Sequence, residues 1–287
     1  MGKVKVILAL GARERIDWSS LARPKINRDF FRAEGKRFIE GIIKDSGRRS
    51  PDHPVGLVLF EAAWATTTAK PSETNPQMVR ALDKTLNAGL HTMDPRLDWG
   101  FNDVIVHANF ENPQSIICMA EMQSKEEMER LDKLAEIERG MWKDCSTEER
   151  INIMSKRLAL SMASNLERDK TVFWMIEHFR CRPEMAFRLA RVFVVRGLEH
   201  KPMRMLFDQD YDVKVKEERE VHLPRFYKDA LERYYLEGGM DEREIGRLAR
   251  MMVAWEDIIA ERRIAPDDIS GRKKAEKEAG RIARKIA

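Results

Sequence analysis

Three side chains that can do acid–base or metal chemistry lie at the ends of two short apolar runs. Asp103 precedes the run that begins at Val104, and Glu121 and Gln123 end the next run. Residues two apart on a strand share a face, and a turn near Asn112 would bring Asp103 to the same sheet edge. A carboxylate pair there suits Mg²⁺, which takes oxygen ligands and leaves positions for phosphate oxygens. We therefore take Asp103, Glu121 and Gln123 as candidate catalytic residues, with Glu121 as a metal ligand; polar ends of a half-exposed hairpin are the structural alternative.

A small sheet is expected to position these residues. Val4–Leu10 and Val55–Phe60 have the composition of buried strands, and the runs on either side of the Asn-Pro turn within 104–123 predict a hairpin. Helical spacing of apolar residues predicts flanking helices over 29–44 and 77–90.

From Ser124 onward helical signals replace strand signals. Ser124 and Glu127 form a capping-box pattern, and Pro183 and Gly197 have the types that begin and end a helix. The predicted helices cover 124–143, 146–166, 169–179, 183–198, 223–237, 241–263 and 272–286.

The predicted class is α+β, with a small mixed or antiparallel sheet and flanking helices in the N-terminal half and an all-helical C-terminal half. We expect an α+β domain over 1–143, a helical domain over 144–265 and a basic helix or tail over 266–287.

The string Gly100-Phe101-Asn102-Asp103, followed by Glu121-Met122-Gln123 and a charged helix, resembles the RelA/SpoT-like nucleotidyltransferase domain over roughly residues 50–140. In that family a Gly-aromatic pair opens one strand and its partner strand ends in Glu-x-Gln. The resemblance implies that Phe101 stacks on a guanine base and that Glu121 activates the attacking 3′-hydroxyl or holds Mg²⁺, with Gln123 as its neighbour. It also implies transfer of pyrophosphate from ATP to a guanine nucleotide.

Phosphoryl chemistry of this kind needs mainly positioning and charge neutralisation. Candidate substrate-binding residues come from the basic N-terminal stretch and from a segment before the hairpin: Lys25, Arg28, Arg48, Arg49 and His91. The chain departs from the family at Val55–Phe60, where an Asp for Mg²⁺ and a Gly-x-Arg are normally found. The nearest carboxylates are Asp52 and Glu61, so the metal site is rebuilt from one of these, or the domain has kept the shape and lost the reaction.

Two other functions fit the same sequence. The first is a Mg²⁺-dependent nuclease hairpin, although Gln123 stands where a Lys normally ends that motif. The second is a non-enzymatic RNA-binding or assembly protein, because Arg188, Arg191 and Arg196 recur on one predicted helix and the C-terminal tail is basic. The nucleic-acid candidates in the tail are Arg272, Lys273, Lys274, Arg281, Arg284 and Lys285. The simpler alternative is a salt-bridged surface.

The net charge of +4 is unevenly distributed. Residues 1–50 contain 13 Lys/Arg against 6 Asp/Glu, and residues 270–287 contain 7 against 2, so the intervening part is acidic. Basic ends suit an anionic partner, either a purine nucleotide or RNA phosphates. An oligomer or a larger assembly is also expected. Three cysteines without zinc spacing, and no apolar run long enough to span a membrane, predict a cytoplasmic protein in a reducing compartment with no membrane partner.

Overall fold

The computed structural model describes residues 3–11, most of 30–45, 55–61, 89–92, 104–109, 116–121, several positions in 129–137, and then 145–181, 189–219, 222–265 and 268–285. For residues 89–92, 104–109 and 116–121 the structure describes the backbone and the strand register. Within the described residues, no helix combines the length and the apolar character that a membrane crossing requires.

The described chain contains seven strands: β1 (Val4–Gly11), β2 (Val55–Glu61), β3 (Gly89–Thr92), β4 (Val104–Asn109), β5 (Ile116–Glu121), β6 (Leu189–Gly197) and β7 (Tyr211–Glu217). They form one sheet in the order β3-β4-β5-β2-β6-β1-β7. Parallel pairings join β5, β2, β6, β1 and β7, whereas β3 and β4 are added to the β5 edge by antiparallel pairings.

Most strand predictions in the N-terminal half are confirmed. β1 and β2 lie where the apolar runs placed them, and β4 and β5 form the expected antiparallel hairpin. Val104 pairs with Ala120 and His107 with Ile117, which agrees with a chain reversal between the two strands. The predicted helix over 77–90 is wrong at its end, because Gly89 begins strand β3; residues 77–88 lie outside the described residues.

The all-helical C-terminal half is a wrong prediction, because β6 and β7 belong to the sheet. Residues 189–197 were expected in a helix but form β6, which pairs with β1 on one side and β2 on the other. A run of β-branched and aromatic residues from Val192 to Val195 favours this outcome, since such side chains pack well on a doubly covered strand. The main body of the sheet is therefore parallel rather than antiparallel. The coarser expectation, a sheet with helices and a helical C-terminal region, is confirmed.

The centre of the sheet is apolar on both of its faces. In β1 and β6 nearly every residue is buried, as expected for parallel strands covered on both sides. Helical positions described within 30–45 pack against the sheet through Phe38, whose ring lies 5.3 Å from that of Phe193. Gly56 on β2 makes room for this helix, because a Cβ there would come within 2.2 Å of Ile42 and 3.0 Å of Phe38.

Helix α1 (Thr147–Cys181) is one continuous element of 35 residues, where two shorter helices were expected. Its start follows the predicted capping box: the backbone N–H of Ser146 donates to Glu149 at 2.7 Å and that of Glu149 donates back to the Ser146 hydroxyl at 3.3 Å. The Glu149 carboxylate accepts hydrogen bonds from the Ser146 O–H and from the Ser146 backbone N–H, and these bonds hold its pKa below the usual range. The helix ends at Cys181, two residues beyond the predicted end at 179.

Three more helices follow β7: α2 (Arg225–Glu237), α3 (Glu242–Glu261) and α4 (Ile269–Lys285). Gly238 adopts a left-handed conformation (φ 74°) that ends α2, and Asp241 caps α3 by accepting from the backbone N–H of Glu244 at 2.7 Å. Their apolar faces share one core with the first part of α1. Its buried members include Met154, Leu158, Met162, Tyr227, Leu231, Leu248, Met252, Trp255, Ala275 and Ala279.

The chain divides into two compact units. The sheet unit contains Met1–Lys125 and Asp169–Glu218, and the helical unit contains Glu126–Arg168 and Arg219–Ala287. This division differs from the predicted boundaries after residues 143 and 265. The reason is that β6 and β7 return residues 189–217 to the sheet, so neither unit is one continuous stretch of chain.

Candidate functional site at the carboxyl edge of the sheet

All five parallel strands end at the same edge of the sheet. Gly11, Glu61, Glu121, Gly197 and Glu217 are their last residues. Ligands of open sheets with parallel strands bind outside this carboxyl edge, because the chain leaves the sheet there in loops that can be shaped around a ligand. A functional site is therefore expected at this carboxyl edge of the sheet.

Glu61 and Glu121 are register partners at this edge. They end β2 and β5, which pair in parallel from Gly56 with Ile116 to Glu61 with Glu121. Paired backbones in a sheet are about 4.8 Å apart. Two carboxylate-bearing residues thus occupy neighbouring positions where two parallel strands stop. The sequence motif identified Glu121, but the pairing with Glu61 depends on β2 and β5 being adjacent.

Several predicted site residues lie outside the described residues. Val104, the residue after Asp103, pairs with Ala120, the residue before Glu121. Asp103 itself lies outside the described residues, and so do seven other predicted site residues: Phe101, Gln123, Lys25, Arg28, Arg48, Arg49 and Asp52.

His91, from the segment before the hairpin, lies in strand β3. Its register partner is His107 of β4. No sequence pattern connects these two histidines, because residues 77–90 were expected to form a helix. Directly opposed residues on antiparallel strands have neighbouring Cβ positions, so the two imidazole-bearing residues are adjacent in the sheet.

A buried charged cluster lies just below the carboxyl edge. Asp169 of α1 is hydrogen-bonded through its carboxylate to Nδ1 of His200 at 2.7 Å. Arg196 Nε lies 3.9 Å from the same carboxylate oxygen. All three side chains are at most 1% exposed. Arg196 is the residue before the end of β6, and His200 lies on the 3₁₀ helix Leu198–Leu206. Buried charges persist where they are paired, so the cluster ties this 3₁₀ helix and α1 to the end of β6.

The arginines near residue 190 have other surroundings than the exposed helix that was expected. Arg191 and Arg196 are on a strand rather than on an exposed helix, and Arg188 lies outside the described residues. Arg191 Nε donates to Asp45 at 2.9 Å, and Lys5 Nζ donates to the same carboxylate at 3.1–3.2 Å. Burial alone would raise the pKa of Asp45, but the hydrogen bonds and positive charges of Lys5 and Arg191 outweigh it and lower that pKa. These arginines therefore stabilise the sheet unit internally.

The predicted nucleic-acid residues of the tail fall on α4, where they have different surroundings. Lys273, Lys274 and Arg281 are exposed. Arg272 is buried, with its guanidinium 5.6 Å from the centre of the Trp255 ring. For Arg284 and Lys285 the structure describes helical backbone. Arg272 thus packs inside the helical unit, and its assignment to a nucleic-acid surface stays a prediction that this burial does not favour.

Among the side chains that the structure describes, no group of three or more His, Cys, Asp or Glu residues is placed to hold a metal ion. Glu61 and Glu121 offer the oxygen chemistry that Mg²⁺ selects. The sequence matches no known family model, no curated protein and no solved structure.

Proposed function

We propose that the protein binds a purine nucleotide together with Mg²⁺ at the carboxyl edge of the sheet and transfers a pyrophosphoryl group from ATP to it. One observation carries the proposal: Glu61 and Glu121 are register partners at the ends of adjacent parallel strands. The resemblance of the β4–β5 hairpin to RelA/SpoT-like nucleotidyltransferases supports the choice of ligand.

Electrostatics favours a cation at this position. In general, two ionised carboxylates about 4 Å apart repel each other by about 1 kcal/mol in water and by about 4 kcal/mol near a protein surface. A divalent cation held by Glu61 and Glu121 would remove such repulsion and would supply positive charge for the phosphates of a nucleotide. Glu61 ends the strand on which the family carries its Mg²⁺ carboxylate, so it replaces the residue that the motif lacks.

Asp103 belongs to the proposal as the third carboxylate to test. Val104 and Ala120 are paired, and Asp103 and Glu121 are the residues next to them in the sequence. In the proposed transfer, Glu121 accepts the proton of the acceptor 3′-hydroxyl, and the 3′-oxygen forms a bond to the β-phosphorus of ATP. The bond between the β-phosphorus and the α–β bridging oxygen breaks, and AMP leaves. Mg²⁺ supplies charge neutralisation of the phosphates during this step.

The test is a titration of GTP and ATP into the full chain with and without Mg²⁺, for wild type and for Glu61→Gln and Glu121→Gln. We expect Mg²⁺ to tighten binding in the wild type, and each substitution to weaken the Mg²⁺-dependent component by about 10- to 100-fold, as losses around a metal site do.

Glu217→Gln is the matched control. Glu217 ends β7 at the same edge, but three strands from β2, roughly 14 Å away, and it pairs with Lys201 at 2.6 Å. The control variant should bind as wild type does. Binding of neither nucleotide at millimolar concentration, or equal losses in all three variants, contradicts the proposal.

The reaction is tested by incubating the protein with labelled ATP and GTP. The expected product is a pyrophosphorylated guanine nucleotide that Glu121→Gln does not make. Metal-dependent cleavage of a nucleic acid that is lost in Asp103→Asn, without nucleotide product, would replace the transferase by the nuclease alternative.

A further inference from the structure

Four exposed cations share one face of helix α4. Lys273, Lys274, Lys277 and Arg281, here called the α4 basic face, are all exposed. At 100° per residue they fall within an arc of about 100°, and from Lys273 to Arg281 they extend over about 12 Å along the axis. The backbone positions of Arg284 and Lys285 continue the same arc toward the end of the helix.

The acidic residues of α4 lie at the sides of this face and have other partners. Glu276 accepts from the backbone N–H of Arg225 at 2.8 Å and is hydrogen-bonded to His222 at 2.9 Å. Glu278 accepts from Arg262 at 2.7 Å. Both carboxylates are thus engaged by neighbouring elements of the helical unit, and the positive charge of the α4 basic face is not neutralised within the helix.

The opposite face of α4 fixes which side is exposed. Ala275 and Ala279 belong to the core of the helical unit, and Ala283 is buried too. The Arg272 side chain lies on the buried face of α4, where its Nε donates to the carbonyl of Ala265 at 3.1 Å. Trp255 Nε1 donates to the Arg272 carbonyl at 3.3 Å. The helix cannot turn its cations inward without breaking these contacts.

From this surface we propose that the α4 basic face binds the phosphate backbone of a nucleic acid. Phosphate contacts need regularly placed cations and no apolar anchor. A membrane-lying helix needs Trp, Phe or Leu on the bound face, and a stable protein interface needs an apolar or aromatic centre. The α4 basic face has neither. The proposal is independent of the cation site at the sheet edge.

The expected size of the effect follows from counterion release. Four phosphate contacts to a single strand give a slope of log affinity against log salt of about −2.8, or a loss of about 50-fold between 50 and 200 mM salt. Two contacts give about −1.4, or a loss of about sevenfold.

The experiment measures fluorescence anisotropy of a labelled 20-residue oligouridine with the full chain at 50, 100 and 200 mM KCl. The double variant Lys277→Ala/Arg281→Ala removes two cations one turn apart and keeps good helix formers. The matched control is Arg243→Ala/Arg247→Ala, which removes two exposed arginines with the same spacing from α3.

We expect the α4 variant to lower the magnitude of the salt slope by about 1.4 and the α3 variant to leave it at the wild-type value. Equal slopes in wild type and the α4 variant, equal losses in both variants, or no binding at 50 mM KCl would each overturn the proposal. Binding to phosphatidylserine vesicles that is as tight as binding to the oligonucleotide would also overturn it, in favour of a membrane surface.

Discussion

Replacing Arg272 by alanine should destabilise the helical unit without weakening binding to a nucleic acid. The guanidinium stacks on Trp255, an interaction worth about 0.5–2 kcal/mol. Its hydrogen bond to the Ala265 carbonyl comes from a charged donor and is worth about 1.5–3 kcal/mol. Since Arg272 is only 6% exposed, solvent screens little of this, and we expect a loss of about 2–4 kcal/mol of unfolding free energy.

The assay is urea unfolding followed by far-UV circular dichroism, because the six tryptophans of the chain would mix their fluorescence signals. The Arg272→Ala midpoint should fall by about 1 M or more. Lys273→Ala is the control: the neighbouring residue is exposed, and its unfolding free energy should change by no more than about 0.5 kcal/mol.

The two variants should behave in the opposite way in the oligonucleotide assay. Under conditions where both are folded, Lys273→Ala should reduce the salt slope by about 0.7, whereas Arg272→Ala should not change it. If Arg272→Ala keeps wild-type stability and reduces the slope, Arg272 is a binding residue and the packing of α4 described above is wrong.

Two further predictions concern stability. Because the folded state depresses the pKa of His222 below its ordinary value of 6.5, the unfolded state binds more protons below that pH. Stability should therefore fall as the pH drops through 6.5, and His222→Gln should lose less between pH 7 and pH 5; an identical loss in urea unfolding would contradict this. Gly56→Ala should cost about 1–3 kcal/mol, because its Cβ meets Ile42 and Phe38 in the core. Gly246→Ala, in α3 with no atom within 4 Å of the added Cβ, should instead stabilise by about 0.5–1 kcal/mol, and the same sign for both glycine variants would refute the packing.

Local sequence signals predicted the elements that local physics controls. The run Val4–Leu10 is apolar without interruption, and it forms a central strand. The Ser146–Glu149 box and Asp241 cap their helices. The hairpin β4–β5 was predictable because one short turn connects its strands.

The errors arose where tertiary pairing outweighed local signals. Pro183 and Gly197 have the types that begin and end a helix, yet between them Val192–Val195 supplies β-branched and aromatic residues that a strand between β1 and β2 buries completely. Propensity is a weak prior when burial on both faces is available. Strand β7 has the alternation of a strand at Tyr211, Val213 and Val215, and this signal was missed.

One residue of the candidate site was predictable from the sequence, and its partner was not. Glu121 followed from its motif, whereas its pairing with Glu61 requires β2 and β5, about 60 residues apart in the sequence, to be parallel neighbours. The cluster of Asp169, Arg196 and His200 was not predictable, because it needs β6 in the sheet and the 3₁₀ helix directly after it.

The most direct test of the proposed cation site is the anomalous scattering of Mn²⁺ in crystals of the protein grown with GTP. We expect one strong peak at the carboxyl ends of β2 and β5, about 2.0–2.6 Å from carboxylate oxygens of Glu61 and Glu121, and no such peak in crystals of Glu61→Gln. A peak at another place in the fold, or density for GTP with no Mn²⁺ beside these two residues, would contradict the account.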